Sequence, residues 1–376
     1  MISPIEFLKE LKENNIDTYY GVPDSLLKSL GDAINDSVLV SNHSITPNEG
    51  IAVSRAIGYF SATRQLPVVY MQNSGLGNAV NPLLSLADPQ VYGVPMLIIV
   101  GWRGEIVGQD QIADEPQHRK QGRVTIDLIH SMGYNYFVVD KDSCYKTIVC
   151  ESVALARQKQ EPVFLVVRKD TFSAHNSSSP KNRFKMNREE AIKNVLTLLP
   201  DDCISVATTG KTGREIFELR QSLNMPHHTD FLCVGGMGHA SSIAAEIARY
   251  KPERSVVCFD GDGAALMHLA SMQHAASQKN FLHIILNNCA HESVGGQSTS
   301  FDELDAASLA RSFGYAKFAY ITEKDELCRE TTNFFHTQQS TLFIIGCKIG
   351  SRDDLGRPTT PAREQYAAFT NFVNSK

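Results

Sequence analysis

Several short runs of this sequence carry residue types that can hold a phosphorylated ligand and a metal ion. In Asp260-Gly-Asp-Gly263, Gly261 and Gly263 let the backbone turn tightly on either side of Asp262. Asn287-Asn288 closes the next apolar run, Phe281 to Leu286. Carboxylate and amide oxygens are hard ligands, suited to a small divalent cation that also holds a phosphate group. Thr208-Thr-Gly-Lys211 brings the hydroxyls of Thr208 and Thr209 and the N–H of Gly210 to a helix start, a second place for phosphate. Its glycine and lysine spacing is not that of a P-loop. Gly235-Gly-Met-Gly-His239 is a glycine-rich run between a strand and a helix, and Asn48-Glu49-Gly50 puts a carboxyl in a first helical turn. Plainer explanations stand beside each: an ordinary strand-to-helix turn for Gly-Asp-Gly, a dipole-stabilised glutamate for Glu49, an ordinary glycine-rich helix start for 235–239.

Such residues act together only if the fold gathers them. Residues 254–260 read as a buried strand, Ala264 to Ser277 as a helix and Phe281 to Leu286 as a second strand. A strand–helix–strand unit returns its second strand beside the first, so Asp262 and Asn288 should reach one sheet edge. Upstream, Ile5, Leu8 and Leu11 make a helical stripe, and strands are expected at 18–21, 37–42, 66–72, 95–101, 136–139 and 162–168. Helices are expected at 47–62, near 78–87 and between the last two strands. Residues 171–187 are polar, Ser-rich and contain Pro180, as a linker would be. The alternation then restarts: helix 188–199, strand 203–208, helix 212–222, a strand leading into 235–239, helix 239–250, the opening unit, a helix near 304–313 and a strand at 342–347. The reading is an α/β protein of two domains, 1–172 and 188–376, joined by a linker at 173–187. Each domain is a mostly parallel sheet with helices on both faces, and no middle domain intervenes.

Composition narrows the class. The chain has 376 residues, 42% hydrophobic and 20% charged, as soluble globular proteins have. A net charge of −5 without a basic block argues against nucleic acid as partner, and no apolar run reaches bilayer-spanning length. Eight cysteines lie scattered without a C-x-x-C pair, and the first residues lack a secretory layout. A cytoplasmic location is expected.

Gly21-Val-Pro-Asp-Ser25, the run from Met71 to Leu84, Asp114-Glu-Pro-Gln-His118, residues 235–242, 290–297 and 350–360 give the whole chain a resemblance. It resembles the phosphonopyruvate decarboxylase family of thiamine diphosphate-dependent 2-oxo acid decarboxylases, whose cofactor signature is Gly-Asp-Gly followed by Asn-Asn. The resemblance implies a pyrimidine-binding domain followed by a diphosphate-binding one. It implies Mg2+ held by Asp262, Asn288 and the carbonyl of Ala290, with Thr208, Thr209, Gly210, Gly261 and Gly263 around the diphosphate. Glu49 would bond N1′ of the aminopyrimidine, favouring the tautomer that takes the thiazolium C2 proton. Met237 would prop the cofactor, with Gly235 as an acceptor for its amino group and Gly236 beside it. The reaction implied is non-oxidative decarboxylation of 3-phosphonopyruvate, with active sites between subunits of a self-associated chain. Glu105 to Ala113 is longer than expected for the family.

For substrate, Asp24, His291, Asn73 and Ser74 are expected to line the reaction centre, and Arg103, His118, Lys120, Arg352 and Arg357 are candidates for the phosphonate. His291 either moves a proton near neutrality or bonds its own loop. Sulfopyruvate or another anionic 2-oxo acid remains open as substrate, as does a catalytically silent nucleotide-binding protein. A dinucleotide oxidoreductase is disfavoured, because Gly75-Leu-Gly77 lacks the third glycine of the fingerprint.

Overall fold

Buried apolar runs build two separate sheets. In a computed structural model describing residues 1–175, 177 and 182–375, the chain divides into two units. One comprises Met1–Ser179 with Val294–Gln297, the other Pro180–Ser293 with Ser298–Lys376.

The first unit opens with α1 (Pro4–Glu13), which Ser3 caps by accepting from the Glu6 N–H. There follow β1 (Tyr19–Gly21), α2 (Lys28–Ser37), β2 (His43–Ile45), α3 (Glu49–Thr63), β3 (Val68–Gln72), α4 (Leu76–Pro82) and β4 (Met96–Gly101). A hairpin of β5 (Ile106–Val107) and β6 (Asp110–Gln111), then α5 (Pro116–Ser131), β7 (Asn135–Val139), α6 (Tyr145–Lys159) and β8 (Pro162–Val167) complete it. The sheet runs β2-β1-β3-β4-β8-β7, all parallel. Every residue of β4 and β8 is buried, as central parallel strands require.

The second unit runs α7 (Arg188–Leu196), β9 (Ile204–Ala207), α8 (Lys211–Ser222), β10 (Asp230–Leu232), α9 (Ala240–Tyr250), β11 (Val256–Gly261), α10 (Asp262–Met267), α11 (Met272–Ala276) and β12 (Phe281–Asn287). Then come α12 (Ala306–Phe313), β13 (Lys317–Ile321), α13 (Lys324–Thr337), β14 (Thr341–Gly346) and α14 (Ala362–Asn374). Its parallel sheet runs β10-β9-β11-β12-β14-β13. Alternate residues of β11 serve opposite cores, Val256 and Cys258 on one face and Val257 and Phe259 on the other. With the hairpin set aside, both sheets follow one order: second, first, third, fourth, sixth, fifth. Connections leave the first and third strands of such a sheet in opposite directions, opening a crevice at their C-terminal ends.

Three local expectations need correction. Residues 37–42 are not a strand: α2 ends at Ser37, a 3-10 turn fills Val40–Asn42, and the edge strand is His43–Ile45. The helix expected over 264–277 breaks at His268 into α10 and α11. Gly261 and Gly263 do not turn through left-handed backbone; Gly261 is extended at φ −105° and Gly263 lies inside α10. The long stretch after Arg103 is the β5–β6 hairpin. Of the expected linker, residues 176 and 178–181 lie outside the described residues; Ser173 pairs with Ile2, and Met186 belongs to the second unit's core. Among the described residues no helix is long and apolar enough to cross a membrane.

Candidate active site

In the second unit, Thr208 directly follows β9 and Asp262 directly follows β11, on the two sides of the crevice. The β11–β12 register pairs Gly261 with Leu286, so Asn287-Asn288 ends level with Asp262. Asp262 is buried. Its carboxylate accepts from the Thr299 hydroxyl at 2.7 Å, and the nearby Gly263 and Cys289 N–H groups favour its charged form. Burial outweighs these bonds and pushes its pKa up to about 6. Asp262 thus lies against the Asn288–Ala290 turn, where the Cys289 N–H donates to Asn287 Oδ1 at 3.1 Å and Cys289 is held left-handed at φ +59°. Asn288 is also buried; its oxygen accepts from the Ala290 N–H at 3.1 Å and its amide donates to Glu292 at 2.8 Å. The Ala290 carbonyl accepts from the Glu292 N–H.

Glu292 anchors a network that single-residue reading missed. It pairs with Arg188 at 2.8 Å and Lys211 at 2.7 Å, while Arg188 also holds Glu215 through two bonds of 2.7 Å. The network fixes which end of the Asn288 amide faces Glu292. Beside it, Gly210 starts α8 at φ +95°, and the Thr208 hydroxyl is buried with no hydrogen-bond partner among the described residues. A Cβ on Gly261 would meet nothing within 4 Å. A stranded hydroxyl, open space over a glycine and a desolvated carboxylate without compensating charge among its bonding partners fit a diphosphate and its cation. Nearby, Gly236 and Gly238 take φ of +68° and +85° to make the 235–239 loop. Met237 is half-buried there, and its carbonyl lies 3.2 Å from the His239 ring. His291 packs its ring on Gly263, where a Cβ would lie 2.8 Å from it. Burial drops its pKa to about 4, so the imidazole is neutral rather than titrating near neutrality.

In the first unit Glu49 begins α3, behind the Asn48 cap, which accepts from the Ile51 N–H at 3.0 Å. Glu49 is buried and its pKa is raised by desolvation, against a 2.7 Å bond from Asn78. A Cβ on Gly75 would overlap the Glu49 carboxyl, so this glycine makes room for the acid. Asn78 and Gly75 were legible only as part of a long resembling run.

The same sheet edge gathers a second cluster. Asp24, three residues past β1, is buried with its pKa pushed up to about 6, by desolvation above all, and one carboxyl oxygen finds no partner among the described residues. Asn73, directly after β3, clamps the Arg103 backbone from both ends of its amide, 2.9 Å and 3.3 Å. Arg103 forks onto Asp114 and donates to Ser25 at 3.0 Å. Burial and Arg103 together lower the pKa of His118. Ser74 accepts from Gln72 at 2.6 Å. A cavity of about 410 Å³ opens beside this cluster, with Lys28, Trp102, Arg103, Asp114 and Lys169 in its wall; of the expected site residues only Arg103 lines it, and Asp24, Asn73, Ser74 and His118 do not. The remaining candidates stand elsewhere. Lys120 is exposed on α5, Arg357 is exposed after β14, and Arg352 binds Glu189, Glu218 and Asp354.

Residues 6–124 match the thiamine pyrophosphate enzyme N-terminal TPP binding domain, and residues 208–345 the thiamine pyrophosphate enzyme C-terminal TPP binding domain. The class is therefore a thiamine pyrophosphate enzyme. Two curated proteins bearing the description phosphonopyruvate decarboxylase align along nearly their whole length. One, from Streptomyces viridochromogenes, is 30% identical over 100% of this chain and 96% of its own. The other, from Streptomyces hygroscopicus, is 32% identical over 99% and 94%. A sulfopyruvate decarboxylase from Methanosarcina acetivorans is 24% identical over 96% and 95%. The chain belongs to the phosphonopyruvate decarboxylase family.

Proposed function

We propose that the chain decarboxylates 3-phosphonopyruvate to phosphonoacetaldehyde and carbon dioxide, using thiamine diphosphate and Mg2+. The observation that carries this is identity of 30% and 32% to two phosphonopyruvate decarboxylases with nearly complete coverage of both partners. Bound thiamine diphosphate supplies an electron sink for the carbanion left by departing carbon dioxide. Asp262, the Asn288 oxygen and the Ala290 carbonyl are the metal ligands in this reading, and the stranded Thr208 hydroxyl donates to the diphosphate. Glu49, whose carboxyl burial shifts toward the acid form, would hydrogen-bond N1′ of the aminopyrimidine. Asp24, Asn73, Arg103 and His118 form the substrate side, with Lys169 supplying a cation for the phosphonate and Lys28, paired with Asp32, beside it. Arg352, held by three carboxylates, is more fully neutralised than Arg103, which forks onto Asp114 alone.

The working particle in this reading is self-associated, with Glu49 of one copy serving Asp262 of another. Exposed Ile51, Leu84 and Leu86, on α3 and the turn packed against it, give the Glu49 region an apolar surface that suits burial against a second copy. The test is aldehyde formation from 3-phosphonopyruvate with Mg2+ and thiamine diphosphate, run against an EDTA control. Turnover of sulfopyruvate in parallel separates the second reading, which the Methanosarcina relative favours. A kcat/KM higher for sulfopyruvate would replace the substrate named here.

A further inference from the structure

We propose that Cys258, Asp260 and His283 are a site for one soft divalent cation of the zinc type, inside the second unit's sheet and separate from the Mg2+ ligands. Cys258 and Asp260 lie two residues apart on β11 and so share a face, and the register sets His283 of β12 directly opposite Cys258. All three side chains are fully buried, and their ligand atoms lie within 4.8 Å of one another. His283 Nε2 and Asp260 Oδ2 face each other at 3.5 Å, and neither has a hydrogen-bond partner among the described residues. Two stranded polar atoms at zero exposure are costly unless something fills the gap between them.

The remaining polar atoms are already spent in the way a metal site needs. Asp260 Oδ1 accepts from the Gly261 N–H at 3.0 Å, leaving Oδ2 turned to the cluster. His283 Nδ1 lies 2.9 Å from the Tyr315 hydroxyl. In the tautomer that donates Nδ1–H to Tyr315, the Nε2 lone pair points at Asp260 and Cys258. Thiolate, carboxylate and neutral imidazole around a dication sum to zero charge, so the buried site needs no counter-ion. Cysteine, histidine and aspartate supply three of the four ligands zinc takes, with a water brought in by the ion as the fourth, whereas Mg2+ wants six oxygens. Binding releases the Cys258 thiol proton to solvent, and full burial means the ion enters as the chain folds. The consequence reaches beyond the decarboxylation proposed above: the ion clamps β11 to β12, the strands that end at Asp262 and Asn288.

The experiment is to refold the full-length chain with Zn2+ or Co2+, then add Mg2+ and thiamine diphosphate. Metal content and the near-ultraviolet thiolate-to-cobalt band are the readouts. The expected result is about one tightly held ion per chain, a thiolate band, and loss of both in Cys258→Val, with both retained in Asp262→Ala. Should Cys258→Val not fold, Cys258→Ser and His283→Gln carry the test, and each should cost at least about tenfold in affinity. Substoichiometric zinc overturns the proposal. So does cobalt taken up without a thiolate band, which places the ion on oxygen ligands elsewhere.

Discussion

Asp262 and Glu49 are both carboxylates taken out of water, and desolvation raises both pKa values. For a carboxyl raised in the fold, stability is fully present below the unfolded value and is lost as pH rises through the folded one. For Asp262 that window runs from 3.8 to about 6 and is worth on the order of 3 kcal/mol. The metal-free, cofactor-free chain should therefore lose melting temperature across this range, and Asp262→Asn should reduce the loss, leaving the share due to Asp24, whose pKa is raised to the same value. A thermal melt series between pH 4 and pH 7 checks it; parallel curves for the two proteins would show that Asp262 is not the group responsible. At fixed pH, Glu49→Gln keeps the size and the Asn78 contact but cannot supply the acid proton. Turnover should fall by about a hundredfold or more, while thiamine diphosphate still binds. Asp262→Ala should instead abolish metal-dependent cofactor binding, measured by calorimetry with and without EDTA.

The elements that hold these residues were unevenly legible. β11 and β12 could be read because each is a continuous apolar run ending in a turn signal. β2 could not, because it is a three-residue edge strand of half-buried residues with no alternation to see. α2, α5, α13 and α14 escaped notice because charged and polar residues are so frequent along them. The Glu292 network was beyond reach for another reason: its partner Arg188 lies 104 residues away in sequence. Glu292→Gln should weaken metal-dependent cofactor binding by about 10- to 100-fold, through loss of the anchor on Asn288. Gly75 was weighed as part of a resembling run and of a failed dinucleotide motif, whereas its contact is with Glu49. Gly75→Ala should push that carboxyl aside, costing about 1–3 kcal/mol of stability and most of the activity. Full activity in Gly75→Ala would mean that the position of Glu49 is not critical.

At the scale of the molecule, the proposed sharing of sites between copies has a quantitative signature. Glu49→Gln and Asp262→Ala chains, each inactive alone, should regain activity when refolded together. In a twofold-symmetric dimer about a quarter of the wild-type sites would be intact. No recovery, with mixed dimers demonstrated by mass, would put both residues in one copy's site. The strand order common to the two sheets has a consequence of its own. Each sheet is assembled wholly from its own stretch of polypeptide, strands of residues 19–167 in one and 204–346 in the other. A break between residues 174 and 185 would cut no strand of either sheet and leave Phe172 and Met186 each with its own core, so this protein ought to survive being made as two separate polypeptides.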